Sequence, residues 1–401
     1  MISYLQAKKI IQKKCVPLGT EIVSLEKSLN RILVDDILAP FDLPLANNSA
    51  MDGFALNSRA VRFASSLKPV RLAVSGVVKA GDSSKFFLES DQTCIIMTGA
   101  FLPPGADSVL PKEEIELDGK SLLIRKRISR WQHVRLKGEE IRKGVRAIRK
   151  RTVIHSGTIA ALATLGLSKV NVFQIPKISV IATGSELIQP GKKLKAGKIY
   201  DSNSWMIQAA LSNMNLPIIS KTIIPDEPAL IEKTIKKALL QSDVILLAGG
   251  VSVGDYDWVK KVLIKIGVQT VFWKVAQKPG KPFYFGVKGK KIIFGLPGNP
   301  ASVWTCFYAY VYEALQLLSG HPDPSLLTVR AVCFPSVSRH ENKTLFLRGK
   351  ISSDLQSVRL AQHQASHCAL SLADSNVLVR VPPLNLKKIE SAISVHLLQG
   401  R

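Results

Sequence analysis

The stretch with the clearest chemical potential is 243–261, DVILLAGGVSVGDYDWVKK. Its apolar start predicts a buried strand, a glycine-rich turn follows at 249–254, and Asp255 and Asp257 begin a predicted helix. Such a turn presents backbone N–H groups and the positive end of a helix dipole to one point, where a phosphate-like anion binds. Because two acidic residues beside an anion site are out of place unless a cation is also bound, the stretch predicts an anion and a divalent metal held together.

A second concentration of charge lies at 273–286, WKVAQKPGKPFYFG. Lys274, Lys278 and Lys281 surround a Pro-Gly bend there, and three ammonium groups near glycine turns would form an electropositive pocket for several negative charges. The alternative is that these lysines cap a strand end in solvent.

Four carboxylates are expected on the same rim: Glu186, Asp226, Asp255 and Asp257. Any one of them alone is better explained as a helix cap or a solvated side chain. Together they favour Mg²⁺, which takes one or two carboxylates in addition to phosphate oxygens.

The elements that must position these residues lie between 177 and 318, where strands alternate with helices. This pattern predicts a doubly wound parallel sheet, whose ligands bind beyond the carboxyl ends of the strands. Three glycine-bearing turns, at 183–186, 249–257 and 297–300, should therefore converge on one crevice. The usual ATPase and dinucleotide fingerprints and histidine clusters are missing from the sequence. The residues alone thus indicate a Mg²⁺-assisted enzyme acting on a phosphate-containing anion.

The flanking segments read differently. Residues 2–14 predict an amphipathic helix, and short β-branched runs at 70–128 predict a β-rich module. Evenly spaced β runs at 328–401 predict a small barrel or sandwich. The loop NNSAMDGFAL places the Asp52 carboxylate beside a glycine, which on spacing alone is better explained by an Asx turn before a strand.

Composition bounds the class of protein. The chain has 401 residues, 46% hydrophobic and 21% charged, as expected for a soluble globular protein of several domains. Five cysteines without metal or redox spacing favour reduced thiols and a cytoplasmic location. We expect neither a signal peptide nor a membrane span.

The net charge of +25 peaks at 125–151. That basic stretch is either a solvated face or a nucleic-acid site; Trp131 is its single aromatic residue and no nucleic-acid motif is present, so we do not expect a nucleic-acid partner.

Six separated motifs together resemble the molybdopterin molybdenumtransferase family, which includes bacterial MoeA and the E domain of gephyrin. They are NSAMDGFAL, TGSEL, GKIYDSN, GGVSVGDYDW, KPGKPFYFG and GLPGNPAS, in the family's order and over essentially the whole chain. The resemblance implies insertion of molybdate into adenylylated molybdopterin, with Mg²⁺ required and AMP released. It also implies an elongated subunit and a homodimer, whose active cleft lies between the α/β domain of one subunit and the β-rich domain of the other.

The expected fold class is α/β plus β, in four domains. A connecting domain comprises 15–45 and 143–175, and a β-rich domain with the SAMDG motif comprises 46–142. A doubly wound α/β domain of the molybdopterin-binding type comprises 1–14 and 176–325, and a small C-terminal β-barrel comprises 326–401.

The resemblance assigns roles to individual residues. It implies catalytic roles for Asp52, which would come from the partner subunit, and for Glu186, Asp257, Lys274 and Lys278, with Glu186 and Asp257 as metal ligands. It implies substrate contacts by Gly249, Gly250, Ser252, Gly254, Asp226, Lys281, Pro297 and Gly298. It implies molybdate contacts by Lys278, Ser302, Arg348 and Ser366, the cationic and hydroxyl donors that an oxyanion requires.

Two residues depart from the family pattern. Asn47 stands where an aspartate is usual, and Glu140 stands where an aspartate follows Gly-Glu. Neither belongs to the metal or oxyanion set, so we expect activity to survive.

Two alternatives are the smaller molybdopterin adenylyltransferase, which shares the α/β domain, and a gephyrin-like scaffold without catalysis. The adenylyltransferase and molybdoenzyme chaperones are further expected partners.

Overall fold

A computed structural model describes residues 1–82, 87–250, 258–384 and 393–398. The chain divides into two compact units. The first comprises Met1–Val34, Arg151–His155 and Lys169–Arg401, and the second comprises Asp35–Lys150 and Ser156–Ser168. The four-domain division drawn from the sequence stays a prediction.

A six-stranded sheet forms the centre of the first unit. Its strands, in spatial order, are Ile218–Ile224, Ile178–Thr183, Val244–Ala248, Lys291–Leu296, Tyr284–Lys288 and Gln269–Trp273. The first four are parallel, and Tyr284–Lys288 runs antiparallel to both of its neighbours. The chain leaves Ile178–Thr183 for one side and returns on the other as Val244–Ala248, so the topological switch point lies between these two strands.

Helices cover both faces of this sheet, as predicted. They are Tyr4–Lys14, Asn203–Asn213, Pro228–Gln241, Trp258–Lys265, Pro300–Cys306 and Tyr312–Leu318, the last two joined by the π-helix Phe307–Val311. Tyr4, Ile207 and Phe307 belong to the core on one face, and Ile231 and Val259 belong to the core on the other. The strands Ile178–Thr183 and Val244–Ala248 are buried throughout, as expected for strands between two helical layers.

The C-terminal part of the first unit is a closed barrel of five strands, as the sequence predicted. Its order is Thr344–Ile351, Ser357–Leu360, Thr328–Phe334, Ile393–Leu397 and Val377–Val381, which pairs back with Thr344–Ile351. The short strand Gln277–Lys278 pairs with the start of Thr344–Ile351. The Pro-Gly bend that carries Lys278 and Lys281, here called the lysine bend, is therefore attached directly to the barrel.

Two small ladders complete the first unit. Thr20–Ser24 pairs antiparallel with Lys169–Phe173, and Leu187–Ile188 pairs parallel with Ile199–Tyr200.

The second unit is β-rich, as predicted for residues 70–128. Its main sheet has the order Ser108–Pro111, Gly53–Leu56, Gln92–Ile96, Val70–Val78, Ser121–Ile124 and Leu117–Asp118. Its other elements include Asn48–Ser49 paired with Val134–Arg135, Ile37–Leu38 paired with Arg146–Ile148, the 3₁₀ helix Lys112–Glu114 and the helix Ser156–Thr164. Across the described parts of both units, no helix is long and apolar enough to cross a bilayer.

Candidate functional site

A cavity of about 540 Å³ lies at the switch point of the first unit's sheet. The three glycine-bearing turns that were predicted to converge do line it, as far as the structure describes them. They contribute Thr183 and Glu186, Gly249 and Gly250, and Gly298, Asn299 and Pro300. The other predicted members of the middle turn, Ser252, Gly254, Asp255 and Asp257, lie outside the described residues.

Gly249 and Gly250 bring the end of one strand against the end of the next. Both have left-handed backbone conformations, with φ of 96° and 64°. A Cβ on Gly249 would lie 2.4 Å from the Thr183 carbonyl oxygen, and a Cβ on Gly250 would lie 2.7 Å from Thr183 Oγ1. Because only glycine fits this approach, these two residues shape the floor of the cavity.

Two of the predicted carboxylates, Glu186 and Asp226, lie in the cavity wall. Asp226 Oδ2 accepts a hydrogen bond from the Ser185 N–H at 3.2 Å, and the Asp226 N–H donates to Ser185 Oγ at 3.1 Å. This reciprocal pair fixes one loop against the other. Lys198 Nζ donates to the Ser185 carbonyl at 2.5 Å on the same loop.

These carboxylates fit the divalent cation predicted from the sequence. Mg²⁺ usually takes one or two protein carboxylates and completes its shell with water and substrate phosphate oxygens. Within the described part of the chain there is no group of three or more His, Cys, Asp or Glu residues that could hold a metal by themselves. Glu186 and Asp226 thus offer oxygen donors of the kind that Mg²⁺ takes, and Mg²⁺ binding here stays a prediction.

A second cavity, of about 500 Å³, adjoins the first and shares Gly298 and Asn299 with it. It brings together many of the residues predicted to hold anions: Lys278, Lys281, Pro297, Gly298, Ser302 and Ser366. Lys343, which the sequence did not single out, adds a further ammonium group to its wall. This cavity is therefore cationic and hydroxyl-bearing, whereas the first has carboxylates.

The lysine bend is fixed by buried neutral groups. Gln277 Nε2 donates to the Gly280 carbonyl at 3.0 Å, and the Tyr310 hydroxyl donates to Gln277 Oε1. Lys278 and Lys281 remain exposed on this rigid support. Lys274 occupies a different environment, with its Nζ 4.0 Å from the centroid of the Trp273 ring.

Arg348, predicted as a molybdate contact, is fully buried behind the loop that carries Ser366. Its Nη2 donates to the carbonyls of His363 at 2.7 Å and Ala365 at 3.2 Å, and its Nε donates to Ser371 Oγ at 3.0 Å. Burial lowers the pKa of the guanidinium. Most of its donors thus hold the loop in place, while Nη1 has no partner among the described residues.

The Ser366 loop is also joined to the Pro297–Pro300 turn. Asn299 Nδ2 donates to Ser366 Oγ at 2.9 Å, and the Ala301 N–H donates to the Ser366 carbonyl at 3.1 Å. The two cavities therefore share a common wall made of the turn and this loop.

Asp52 lies in the second unit, which is described by itself. Its Oδ1 accepts hydrogen bonds from the Thr98 N–H at 2.7 Å and from Thr98 Oγ1 at 2.8 Å. These bonds, with a smaller contribution from Lys112, lower the pKa of the carboxyl group. The carboxylate thus binds a distant strand end rather than its own turn, which rules out the simple Asx turn as an account of this side chain.

Two family models match the chain. The model described as MoeA N-terminal region (domain I and II) matches residues 2–166, and the model described as probable molybdopterin binding domain matches residues 179–317.

Curated relatives cover most of the chain. It is 33% identical to a molybdopterin molybdenumtransferase of Staphylococcus epidermidis over 95% of its length and 91% of the relative. It is 35% identical to one of Haemophilus influenzae over 80% of its length and 78% of the relative.

Solved structures give the same picture. A molybdopterin biosynthesis MoeA protein from Pyrococcus horikoshii superposes with a TM-score of 0.86 at 30% identity, and the match covers 100% of both chains. A molybdenum cofactor biosynthesis protein from Pyrococcus furiosus shares the fold, with a TM-score of 0.60 at 20% identity over 99% of both chains.

Proposed function

The chain belongs to the molybdopterin molybdenumtransferase family, and from this premise we propose that it inserts molybdate into adenylylated molybdopterin and releases AMP in a Mg²⁺-dependent reaction. One observation carries the proposal beyond the family. A glycine-lined cavity with two carboxylates adjoins a cationic, hydroxyl-bearing cavity, and the two share the Gly298–Asn299 wall. The proposed reaction needs two such neighbouring environments, one for the phosphate-linked nucleotide of the substrate and one for the molybdate oxyanion.

The cationic cavity is the proposed molybdate site. Lys278, Ser302 and Ser366 offer ammonium and hydroxyl donors to an oxyanion, and Lys281 and Lys343 add positive charge around it. Arg348 supports this site through its bonds to the loop carbonyls. With molybdate held here, water cleaves the phosphate–phosphate bond of the substrate and AMP leaves. The two dithiolene sulfurs of molybdopterin then become ligands of the molybdenum, in place of oxygen ligands that leave as water.

The glycine-lined cavity is the proposed site of the adenylate phosphates. When bound, Mg²⁺ supplies Lewis acidity that polarises the pyrophosphate-like bond, and Glu186 and Asp257 would hold it. The turn N–H groups and the lysines stabilise the negative charge that develops as AMP leaves. Asp226 keeps the loop that carries Ser185 in position. The protein thus contributes positioning and electrostatics.

We further propose that the protein is a cytoplasmic homodimer, in which Asp52 reaches the cleft from the partner subunit. The hydrogen bonds from Thr98 lower the pKa of the Asp52 carboxyl group and fix the direction of its carboxylate. The adenylyltransferase that supplies the substrate and the chaperones that receive the product are its proposed transient partners.

The deciding experiment is AMP release from adenylylated molybdopterin, with and without molybdate and Mg²⁺. Release that requires both would support the transferase. AMP release that does not depend on molybdate would indicate simple hydrolysis of the substrate. If the folded dimer releases no AMP, the proposal is wrong. The relatives that match along nearly the whole chain are molybdenumtransferases, which favours this activity over the adenylyltransferase alternative.

A further inference from the structure

Two buried polar atoms in the wall of the glycine-lined cavity lack partners. They are Thr183 Oγ1 and Asn203 Oδ1, which form no hydrogen bond within the described part of the chain. The residues are only 4% and 8% exposed. Because buried polar atoms in folded proteins are nearly always paired, two unpaired ones in a single cavity wall call for a ligand.

The Asn203 side chain is held in one orientation. Asn203 is the first residue of the helix Asn203–Asn213, and its Nδ2 donates to the Gly298 carbonyl at 2.7 Å. A carbonyl oxygen can only accept, so this bond fixes which end of the amide is the nitrogen. Oδ1 is consequently an acceptor in a fixed direction, set by the same turn that separates the two cavities.

Thr183 is similarly confined. It ends the strand Ile178–Thr183, and its Oγ1 lies so close to the Gly249–Gly250 backbone that a Cβ at either glycine would come within 3.2 Å or 2.7 Å of it. The hydroxyl therefore lies at the switch point itself, beside the two carboxylates of the wall. It can donate or accept one hydrogen bond there.

The chemistry of Asn203 Oδ1 restricts what it binds. It accepts only, and ionised phosphates and molybdate also carry only acceptors at neutral pH. Among the groups of the substrate itself, only an O–H or N–H group of a neutral part can therefore be its partner; a bound Mg²⁺ or a water molecule is the competing partner. Adenylylated molybdopterin has such groups in its ribose hydroxyls and in the N–H groups of its adenine and pterin rings.

We propose that Thr183 and Asn203 are specificity-determining residues, which bind an O–H or N–H group of the neutral part of the substrate. This rests on the proposed function and assigns to the cavity a recognition role separate from metal and oxyanion binding. On this proposal, the two unpaired atoms form their hydrogen bonds with the ligand rather than with the protein.

The test begins with Thr183→Val, which replaces the hydroxyl by a methyl group of the same shape, and with Thr183→Ser as the matched control that keeps the hydroxyl. Binding of AMP with Mg²⁺ and of molybdopterin is measured separately by calorimetry. We expect Thr183→Val to weaken one of these ligands roughly 3- to 10-fold, the range of one net hydrogen bond, while Thr183→Ser stays near wild type. Thermal unfolding without ligand should show Thr183→Val as stable as wild type or more so.

Ligand analogues identify the contacted group and test Asn203. Wild type is compared with Asn203→Leu on AMP, 2′-deoxy-AMP and purine riboside 5′-monophosphate, with molybdopterin as the pterin arm. The ligand that lacks the hydrogen-bond donor contacted by Asn203 should bind the wild type weakly. Its affinity should not fall further in Asn203→Leu. This comparison separates lost recognition from any loosening of the Gly298 turn, which would weaken all ligands alike.

Each outcome has a distinct meaning. If wild type binds the ligands and Thr183→Val binds them equally well, the inference is wrong and the proposed function stands. If Thr183→Val unfolds readily without ligand, the hydroxyl has an internal partner and the inference is also wrong. If wild type binds neither AMP nor molybdopterin, the proposed function fails at this cavity and the inference falls with it.

Discussion

At the scale of single residues, the two cavities differ in charge, and this difference can be tested with one lysine. Lys278 is exposed at the bend and lines the cationic cavity. We expect Lys278→Ala to lower kcat/KM for molybdate roughly 10- to 100-fold, because a hydrogen bond to a charged group contributes about 1.5–3 kcal/mol. Steady-state kinetics at varied molybdate concentration measures the change.

Lys290→Ala is the matched control for this prediction. Lys290 is also exposed, but it precedes the strand Lys291–Leu296 and so lies at the edge of the sheet opposite the carboxyl ends. Removing its charge tests the general effect of the +25 net charge on an anionic substrate. Equal losses in the two variants would show that bulk charge, rather than a molybdate contact, is responsible.

Asp52 offers a test through pH. Its pKa is lowered chiefly by the hydrogen bonds from Thr98, so the carboxylate stays ionised to lower pH than an ordinary aspartate. If the ionised form is required, Thr98→Val should shift the acid limb of the kcat/KM profile to higher pH, because the hydroxyl bond is lost while the backbone bond remains. Thr98→Ser should leave the limb in place. An unmoved limb in Thr98→Val would separate Asp52 from the rate-determining chemistry.

At the scale of elements, the Pro-Gly bend packs closely against a buried helix because Gly280 has no side chain. Its φ is +85°, and a Cβ there would lie 2.6 Å from Cys306 Sγ in the buried helix Pro300–Cys306. We expect Gly280→Ala to lower the free energy of unfolding by about 2–4 kcal/mol, combining backbone strain and overpacking. Urea unfolding measures this loss.

Gly289→Ala isolates the backbone part of that effect. Gly289 also has a positive φ, +58°, but nothing lies within 4 Å of a Cβ built on it. Its cost should be limited to about 1 kcal/mol. If both variants lose the same free energy, the contact with Cys306 has no share in fixing the bend.

Much of the α/β architecture could be predicted because strand, glycine turn and helix alternate in the sequence with little ambiguity. The convergence of the turns followed from the parallel order alone. The sequence could not show that Arg348 turns its donors to the carbonyls of 363–365, because that contact depends on how the barrel loop folds back. Nor could it single out Thr183 and Asn203, since only burial reveals that their polar atoms are unpaired.

The apolar helix at 301–318 shows a second limit of prediction from the sequence. The sequence predicts one helix from 301 to 318, and the structure has one continuous helical segment there, but residues Phe307–Val311 adopt π geometry. Periodicity cannot report one extra residue within a turn when nearly every position is buried. Such π segments are uncommon and depend on tertiary packing.

At the scale of the whole molecule, ion pairs neutralise part of the basic stretch 125–151, and the expectation that it binds no nucleic acid stays a prediction. Several of its cations pair with acids of the same unit, namely Arg125 with Glu116, Lys126 with Glu114, Arg130 with Asp107, Lys137 with Asp42 and Arg146 with Asp36. Exposed pairs of this kind contribute little to stability. They do reduce the field available to a polyanion.

A polar cluster around the buried Glu313 joins the N-terminal helix, the helix Tyr312–Leu318 and the outside of the barrel. Lys8 Nζ lies 2.7 Å from Glu313 Oε2, and Ser325 Oγ donates to the same carboxylate at 3.0 Å. His396 of the barrel shares this region: burial, with the nearby charges of Arg380 and Lys8, lowers its pKa to about 4. The His396 imidazole therefore stays neutral to lower pH than an exposed histidine.

The cluster predicts how stability depends on pH. The pKa of His396 is about 4 in the folded protein against 6.5 for an unperturbed histidine, so the unfolded chain binds the proton first as the pH falls. The stability that this group contributes is complete above pH 6.5 and is lost progressively toward pH 4, by about 3 kcal/mol in total. Acidic groups also titrate near pH 4, so the measurement is the difference between wild type and His396→Asn. His396 Nδ1 lies 2.8 Å from Thr328 Oγ1, and the asparagine amide keeps a hydrogen-bonding group here but does not titrate. Urea unfolding at intervals from pH 7.5 to 4 should show that the wild type loses free energy of unfolding faster than the variant as the pH falls. If the two plots of unfolding free energy against pH are parallel, the imidazole is solvated, and the barrel is held to the helices without a neutral histidine.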